Sequence, residues 1–399
     1  MFGALRMIKK AMIFLWLLLL VTPSVCRAEG RTEDGPLLPT PEEVIGEVDL
    51  DKVNTVTRAL DREVREALPD LEFSQLVRSL IKGDLGTSPA ELVGVLYRYL
   101  FKELAGNAVL LGKLVILAVI CAVLNNVSSA FEKATASKVA QSAVYLVLVT
   151  LAISSFVVAL DAGREAVNGM VNFMHAILPV MVVLLCALGS FATAALFHPA
   201  VLMVVNFAGT IIATVVFPLL FFSAVLGMAS HLAEGFSLSR LADFLKWVGL
   251  GIMGLLTSIF LGILSIHGVA GAVTEGLAYR TAKLATSTFI PVVGKVFADT
   301  MDAISGSSLL VKNGVGMAGL LVVFLIAIFP LLKILGLVVI YKLAAALVQP
   351  LGENRLADLM NTLGNNMVAI FAVVATCGIL FFFALAIVTG IGSINVMLR

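Results

Sequence analysis

The residues of this sequence best placed to do chemistry lie late in the chain, in "GKVFADTMDAISGSS", Gly294 to Ser308. Lys295 and Asp299 are four apart and Asp299 and Asp302 three apart. On a helix the three charges share one face, and the lysine offsets one carboxylate. Gly306, Ser307 and Ser308 follow, then Lys312 and Asn313. Apolar runs flank the stretch on both sides. A Lys or Asp at the centre of a lipid-facing helix costs about 2.5 to 3.5 kcal/mol, whereas Val296, Phe297, Met301 and Ile304 return only about 0.3 to 0.6 kcal/mol each. Lipid exposure therefore loses. The stretch must be shielded by other helices, line a wet cavity or lie outside the membrane.

Two readings stand. One is a broken or re-entrant helix lining a polar path, with Lys295, Asp299, Asp302, Ser307, Ser308, Lys312 and Asn313 as its polar residues. The other is a solvated amphipathic helix in a loop. Pro179, Pro218, Pro291, Gly306 and Pro330 are candidate points for a hinge or break.

No other constellation promises catalysis. His175, His198, His231 and His267 are scattered, and "HLAE" at His231 is a lone pair without a second ligand. "GFSLS" lacks a convincing base, and neither a P-loop nor an H-E-x-x-H zinc motif occurs. Asn206, inside an apolar run, suits a hydrogen bond between helices. The reading is of a protein that is not an enzyme and needs no cofactor or metal.

The elements that must position these residues are membrane helices. The 399-residue chain is 60% hydrophobic and only 13% charged, about half the charge of a soluble domain. This is the composition of an all-α polytopic membrane protein. The net charge of +1 gives no field for nucleic acid. Cys121, Cys186 and Cys377 stand alone in apolar runs, as small core residues.

Residues 1–28 read as a signal peptide: Arg6, Lys9 and Lys10 precede a short apolar core, and a small-residue cleavage site ends at Ala28. Residues 29–103 are acidic and read as a small helical region outside the cytoplasm with a juxtamembrane helix. "SPAE" from Ser88 to Glu91 marks that helix's start, with Pro89 in its first turn. Seven apolar runs follow: 108–127, 139–160, 173–196, 200–228, 247–270, 315–340 and 367–391. With the Gly294 stretch they set about seven to eight crossings. Lys133 and Lys138, and later Arg280 and Lys283, fall in loops that the positive-inside rule puts in the cytoplasm.

Two parts of the chain echo each other. "ILPV" at Ile177 matches "FIPV" at Phe289, "FPLL" at Phe217 recurs at Phe329, and "RLAD" at Arg240 recurs at Arg355. Their separation is nearly constant, about 112–115 residues. The organisation read from this is 104–168 as two opening spans, 169–280 as one membrane repeat and 281–399 as a second. If each copy crosses three times, the copies are inverted, a common plan for transporters.

"STFIPVVGKVFADTMDAISGSSLLVKNGVGMAGLL" and "FHPAVLMVVNFAG" resemble the stage III sporulation protein AE family of endospore-forming bacteria. The resemblance extends over nearly the whole chain after the signal. It implies a multi-pass protein of the mother-cell membrane around the forespore. It also implies partners: other membrane proteins of a channel or feeding-tube complex, ring-forming proteins and a secretion-type ATPase. It carries over no catalytic residues. Two other roles stay open: a self-sufficient secondary transporter of a small solute, and a structural scaffold of the same complex.

Overall fold

The computed structural model describes residues 50–58, 72–82, 89–130, 135–188, 190–232, 238–289 and 293–397; for 267–305 and 391–397, among others, it describes the backbone alone. The signal segment, Ser88 and Pro291 lie outside the described residues. Among those described, every regular element is a helix: α1 (Asp51–Arg58), α2 (Phe73–Lys82), α3 (Pro89–Gly106), α4 (Ala108–Ala130), α5 (Thr135–Ala187), α6 (Phe191–Ile211), α7 (Phe217–Leu232), α8 (Ser239–Phe289), α9 (Val293–Val348) and α10 (Asn354–Met397). A π-helical segment, Ile212–Val216, joins α6 to α7, and a single 3-10 turn, Gln349–Leu351, separates α9 from α10.

Local chemistry sets several of these boundaries. α3 begins at Pro89, whose missing N–H is one that a helix start leaves unbonded anyway, and Glu91 in its first turn suits the positive end of the dipole. α9 ends just before Pro350, which cannot donate to a continuing helix. Gly352, at φ 84°, then takes the left-handed conformation that reverses the chain. Pro218 lacks the N–H that would bond four residues back, and the π segment ends two residues before it; the Phe217 N–H bonds to the Ile212 carbonyl. Pro179 and Pro330, by contrast, lie inside helices assigned without a break.

Among the described residues, six helical stretches are long and apolar enough to cross a membrane: Val93–Leu124, Ser142–Ala187, His198–His231, Ser239–Ile266, Gly306–Leu351 and Asn354–Gly390. The chain is an all-α membrane protein. Two of the seven runs expected to cross separately, 139–160 and most of 173–196, share the single 53-residue helix α5. The polar stretch between them, Asp161 to Asn172, makes no loop. Its polar residues fall on one face, while Ala162, Ala166, Val167, Met170, Phe173 and Met174 fall on the other and are buried. Gly163 and Gly169 let that face approach α10 and α9: a Cβ on Gly163 would meet Ile370 at 3.0 Å and Val374 at 3.2 Å, and one on Gly169 would meet Ile326 at 3.3 Å.

The long helices run up and down beside one another. α9 and α10 form an antiparallel hairpin, tied by Lys342 to Asn361 near its turn and by Lys312 to Thr389 near its open end. α7 descends toward the same turn, since Ser223 lies near Asn366 and His231 near Thr362. α8 climbs away from it, since Lys246 meets Asn365 and Phe260 meets Phe381. The "FPLL" helices α7 and α9 thus point the same way, and so do the "RLAD" helices α8 and α10. The inverted arrangement is replaced by a parallel one. α8 runs as one continuous helix between the two "FPLL" helices, so corresponding motifs lie two long helices apart, and an even number preserves direction.

The core is centred on α5, α9 and α10. It is packed closely enough that a Cβ on Gly316 would collide with Thr389, and one on Gly319 with Ile177 and Leu385. The N-terminal helices dock on this core: Phe73 of α2 packs edge-on to Phe173, Ile81 covers Gly314, and Tyr99 of α3 packs edge-on to Phe329.

Candidate functional site

Three polar assemblies stand out on this scaffold, and the sequence singled out only part of them. The first is the Gly294 stretch. Lys295, Asp299 and Asp302 fall in the first turns of α9, and their side chains lie outside the described residues. The helix is continuous through Gly306, Ser307 and Ser308, so the break expected there is absent. Among the described residues, no heavy atom beyond its own stretch of helix lies within 4 Å of a Cβ at Gly306. Ser307 and Asn313 are half-buried, Ser308 is buried, and Lys312 is 0% exposed. The Lys312 ammonium donates to the Thr389 carbonyl of α10 at 2.7 Å. Lys312 and Ser308 thus face protein, between α9 and its neighbours. Lys333, a turn below Pro330, is half-buried.

The second assembly lies near the α9–α10 turn. Lys342 of α9 donates to the side-chain oxygens of Asn361, at 2.5 Å, and Asn365, at 2.6 Å, on α10. Lys246 of α8 reaches the Asn365 backbone carbonyl at 2.8 Å. The buried Ser223 hydroxyl of α7 donates to the Ala242 carbonyl at 2.7 Å and lies 3.4 Å from Asn366 Oδ1. His231 Nε2 is 3.3 Å from Thr362 Oγ1. Arg355 donates to the His231 carbonyl at 2.5 Å, where a cation suits the end of α7, and its guanidinium carbon stands 5.9 Å from the Tyr145 ring centroid. Gly364 makes room for the Lys342 stem, which passes 3.3 Å from where a Cβ would be. Three helices, α8, α9 and α10, are therefore clamped by amide and carbonyl oxygens around two ammonium groups, and α7 joins them through Ser223, His231 and Arg355. Hydrogen bonds to charged groups are worth about 1.5–3 kcal/mol each, so this is a structural clamp of high value. "NTLGNN", with Asn361 and Asn365 four apart at the start of an apolar run, was the available signal.

The third assembly is a face shared by α5 and α6. Asp161, Glu165, Asn168, Asn172 and His175 recur at helical spacing along α5, and all are exposed. On the antiparallel α6, Asn206, Thr210 and, in the π segment, Thr214 are exposed too. His175 Nε2 and Asn206 Oδ1 are 2.9 Å apart, the interhelical bond for which Asn206 was singled out. The Asn206 amide also donates to the Leu202 carbonyl at 2.9 Å, and Thr214 to the Thr210 carbonyl at 2.7 Å. Arg164 lies 3.7 Å from Asp161. Cys121 and Cys377 are buried and Cys186 is partly buried, all as free thiols.

The comparisons with known proteins join these features to a family. The family model for "Stage III sporulation protein AE" matches residues 71–392, from just before α2 to the last turns of α10. A protein of Bacillus subtilis (strain 168) named "Stage III sporulation protein AE" is 37% identical over 358 residues, covering 90% of each chain. No solved structure matches. A match that takes in every candidate span, together with this degree of identity, means that the chain belongs to the stage III sporulation protein AE family, a family of sporulation membrane proteins.

Proposed function

We propose that this chain is a multi-pass component of a mother cell-to-forespore channel complex, of feeding-tube or secretion-like type, in the mother-cell membrane around the forespore. Its partners in this reading are the other membrane proteins of that complex, ring-forming proteins and a secretion-type ATPase. The chain itself does no bond-breaking chemistry. The observation that carries the reading is the extent of the family match. The match, residues 71–392, takes in every candidate span, which supports a role carried by the membrane-embedded part. The polar groups described there bind one another across helices, as in a shaped membrane body.

The test is genetic and biochemical. In an endospore former lacking its own copy, this chain restores late forespore reporter activity and co-purifies with the ATPase and ring proteins from sporulating cells. Asp299→Asn or Asp302→Asn lowers spore yield while the protein accumulates normally. Full spore yield from both variants would favour the scaffold role. Solute uptake by the purified chain alone in liposomes would replace the channel-component reading with the transporter.

A further inference from the structure

The polar face of α5 and α6 lies in the wrong place for a protein that is simply bathed in lipid. Its height along the bundle follows from contacts across it. Gly163 packs on Ile370 and Val374, Gly169 on Ile326, and Ile177 on Gly319. Asp161 to His175 therefore stand beside the middle of the apolar runs of α9 and α10, and His175 to Asn206 sets α6 at the same height. At this height α8 and α10 expose apolar side chains: Leu255 is 63% and Ile259 49% exposed on α8, and Phe383 is exposed on α10. At one depth, then, α8 and α10 expose apolar side chains while α5 exposes an unbroken polar stripe.

Lipid cannot cover the polar stripe cheaply. An aspartate at the centre of a spanning helix costs about 2.5–3.5 kcal/mol. Asp161 and Glu165 are both exposed here, and only Asp161 has a described cation nearby, Arg164. A dry helix partner fits poorly as well. Interfaces between membrane helices are built on small residues with an occasional polar one, whereas this α5 face carries five polar positions in succession over about 21 Å of helix rise. On α5 the stripe of amide, imidazole and carboxylate groups is the pattern of a helix surface against water; α6 adds Asn206, Thr210 and Thr214 to it, beside its exposed apolar Met203 and Phe207.

We propose that the α5/α6 face, from Asp161 to His175 with Asn206, Thr210 and Thr214, is a water-lined surface at membrane depth, passing water and small hydrophilic solutes and, with two carboxylates against one guanidinium, favouring cations over anions. It adds to the channel reading a specific wetted wall, distinct from the charged start of α9. A wetted wall is detectable whether or not the chain proves to serve the forespore.

The experiment uses the full chain in membranes of sporulating cells. Cys26, Cys121, Cys186 and Cys377 are replaced, and single cysteines are placed at Asn168, Asn172 and Thr210 on the polar face and at Leu255 and Ile259 on α8. All five positions are exposed, so the substitutions spare the core. Protein level and labelling after denaturation confirm that each variant accumulates with a competent thiol. A small, cationic, membrane-impermeant thiosulfonate is expected to modify the polar-face cysteines at least tenfold faster than the α8 pair, and faster than its anionic counterpart does. Equal rates at the two sets of positions, or polar-face cysteines that form disulfides between copies and resist the reagent, would overturn the proposal. Fast labelling in a strain whose sporulation does not need the chain would sink the channel reading and leave the wetted wall standing.

Discussion

Removing the amide oxygens that hold Lys342 tests the clamp near the α9–α10 turn. Lys342 has two described acceptors, Asn361 Oδ1 and Asn365 Oδ1. Asn365→Ala removes one and leaves the other. The Lys246 bond survives, because it goes to the Asn365 backbone carbonyl. With Lys342 half-buried, a single replacement should cost about 1 kcal/mol, below the usual range for a bond to a charged group. The double variant Asn361→Ala/Asn365→Ala leaves the ammonium without either acceptor and should cost about 3 kcal/mol. The excess over the sum of the singles, about 1 kcal/mol, is the coupling expected of groups sharing one partner. Adding Lys342→Met should then restore about 2 kcal/mol, because an apolar stem there is cheaper than an unpaired charge. Unfolding in mixed micelles of rising SDS fraction, followed by far-ultraviolet circular dichroism, measures all five proteins. A double variant within about 0.5 kcal/mol of the parent, or no recovery on adding Lys342→Met, would refute the clamp.

Two further predictions use the same assay. Gly319→Val should cost about 3 kcal/mol, since its side chain must enter space held by Ile177 and Leu385, whereas Gly306→Ala, with open space around it, should gain about 0.5–1 kcal/mol from the helix interior. Lys312→Met should leave stability within about 1 kcal/mol of the parent or raise it, while Lys312→Ala opens a cavity and costs at least about 2 kcal/mol; equal losses from both would mean that the bond to Thr389, not the packing, holds this site.

The shared helix α5 shows why counting apolar runs misplaces an element. Between residues 160 and 173 the polar residues interrupt the run, and an interruption reads as a loop. The same residues carry helical periodicity, with a buried apolar face opposite, so the backbone continues. The parallel repeat has a related cause. The echoed tetrapeptides align two segments, but the relative direction of those segments depends on how many helices lie between them. That number changes once α8 is recognised as one continuous helix.

By itself the sequence determined the membrane class, the helical content, the start at Pro89, the bond-forming role of Asn206 and, through its quoted motifs, the family, because each of these follows from composition, local spacing or direct likeness. Only the tertiary structure decided that Lys246 and Lys342 converge on Asn365, that Lys312 is enclosed by protein, and that the polar stripe of α5 meets that of α6. Those facts depend on which side of one helix turns toward another far along the chain. Hydrogen bonds and close packing select that geometry among helices whose apolar surfaces are nearly interchangeable, and no local pattern encodes it.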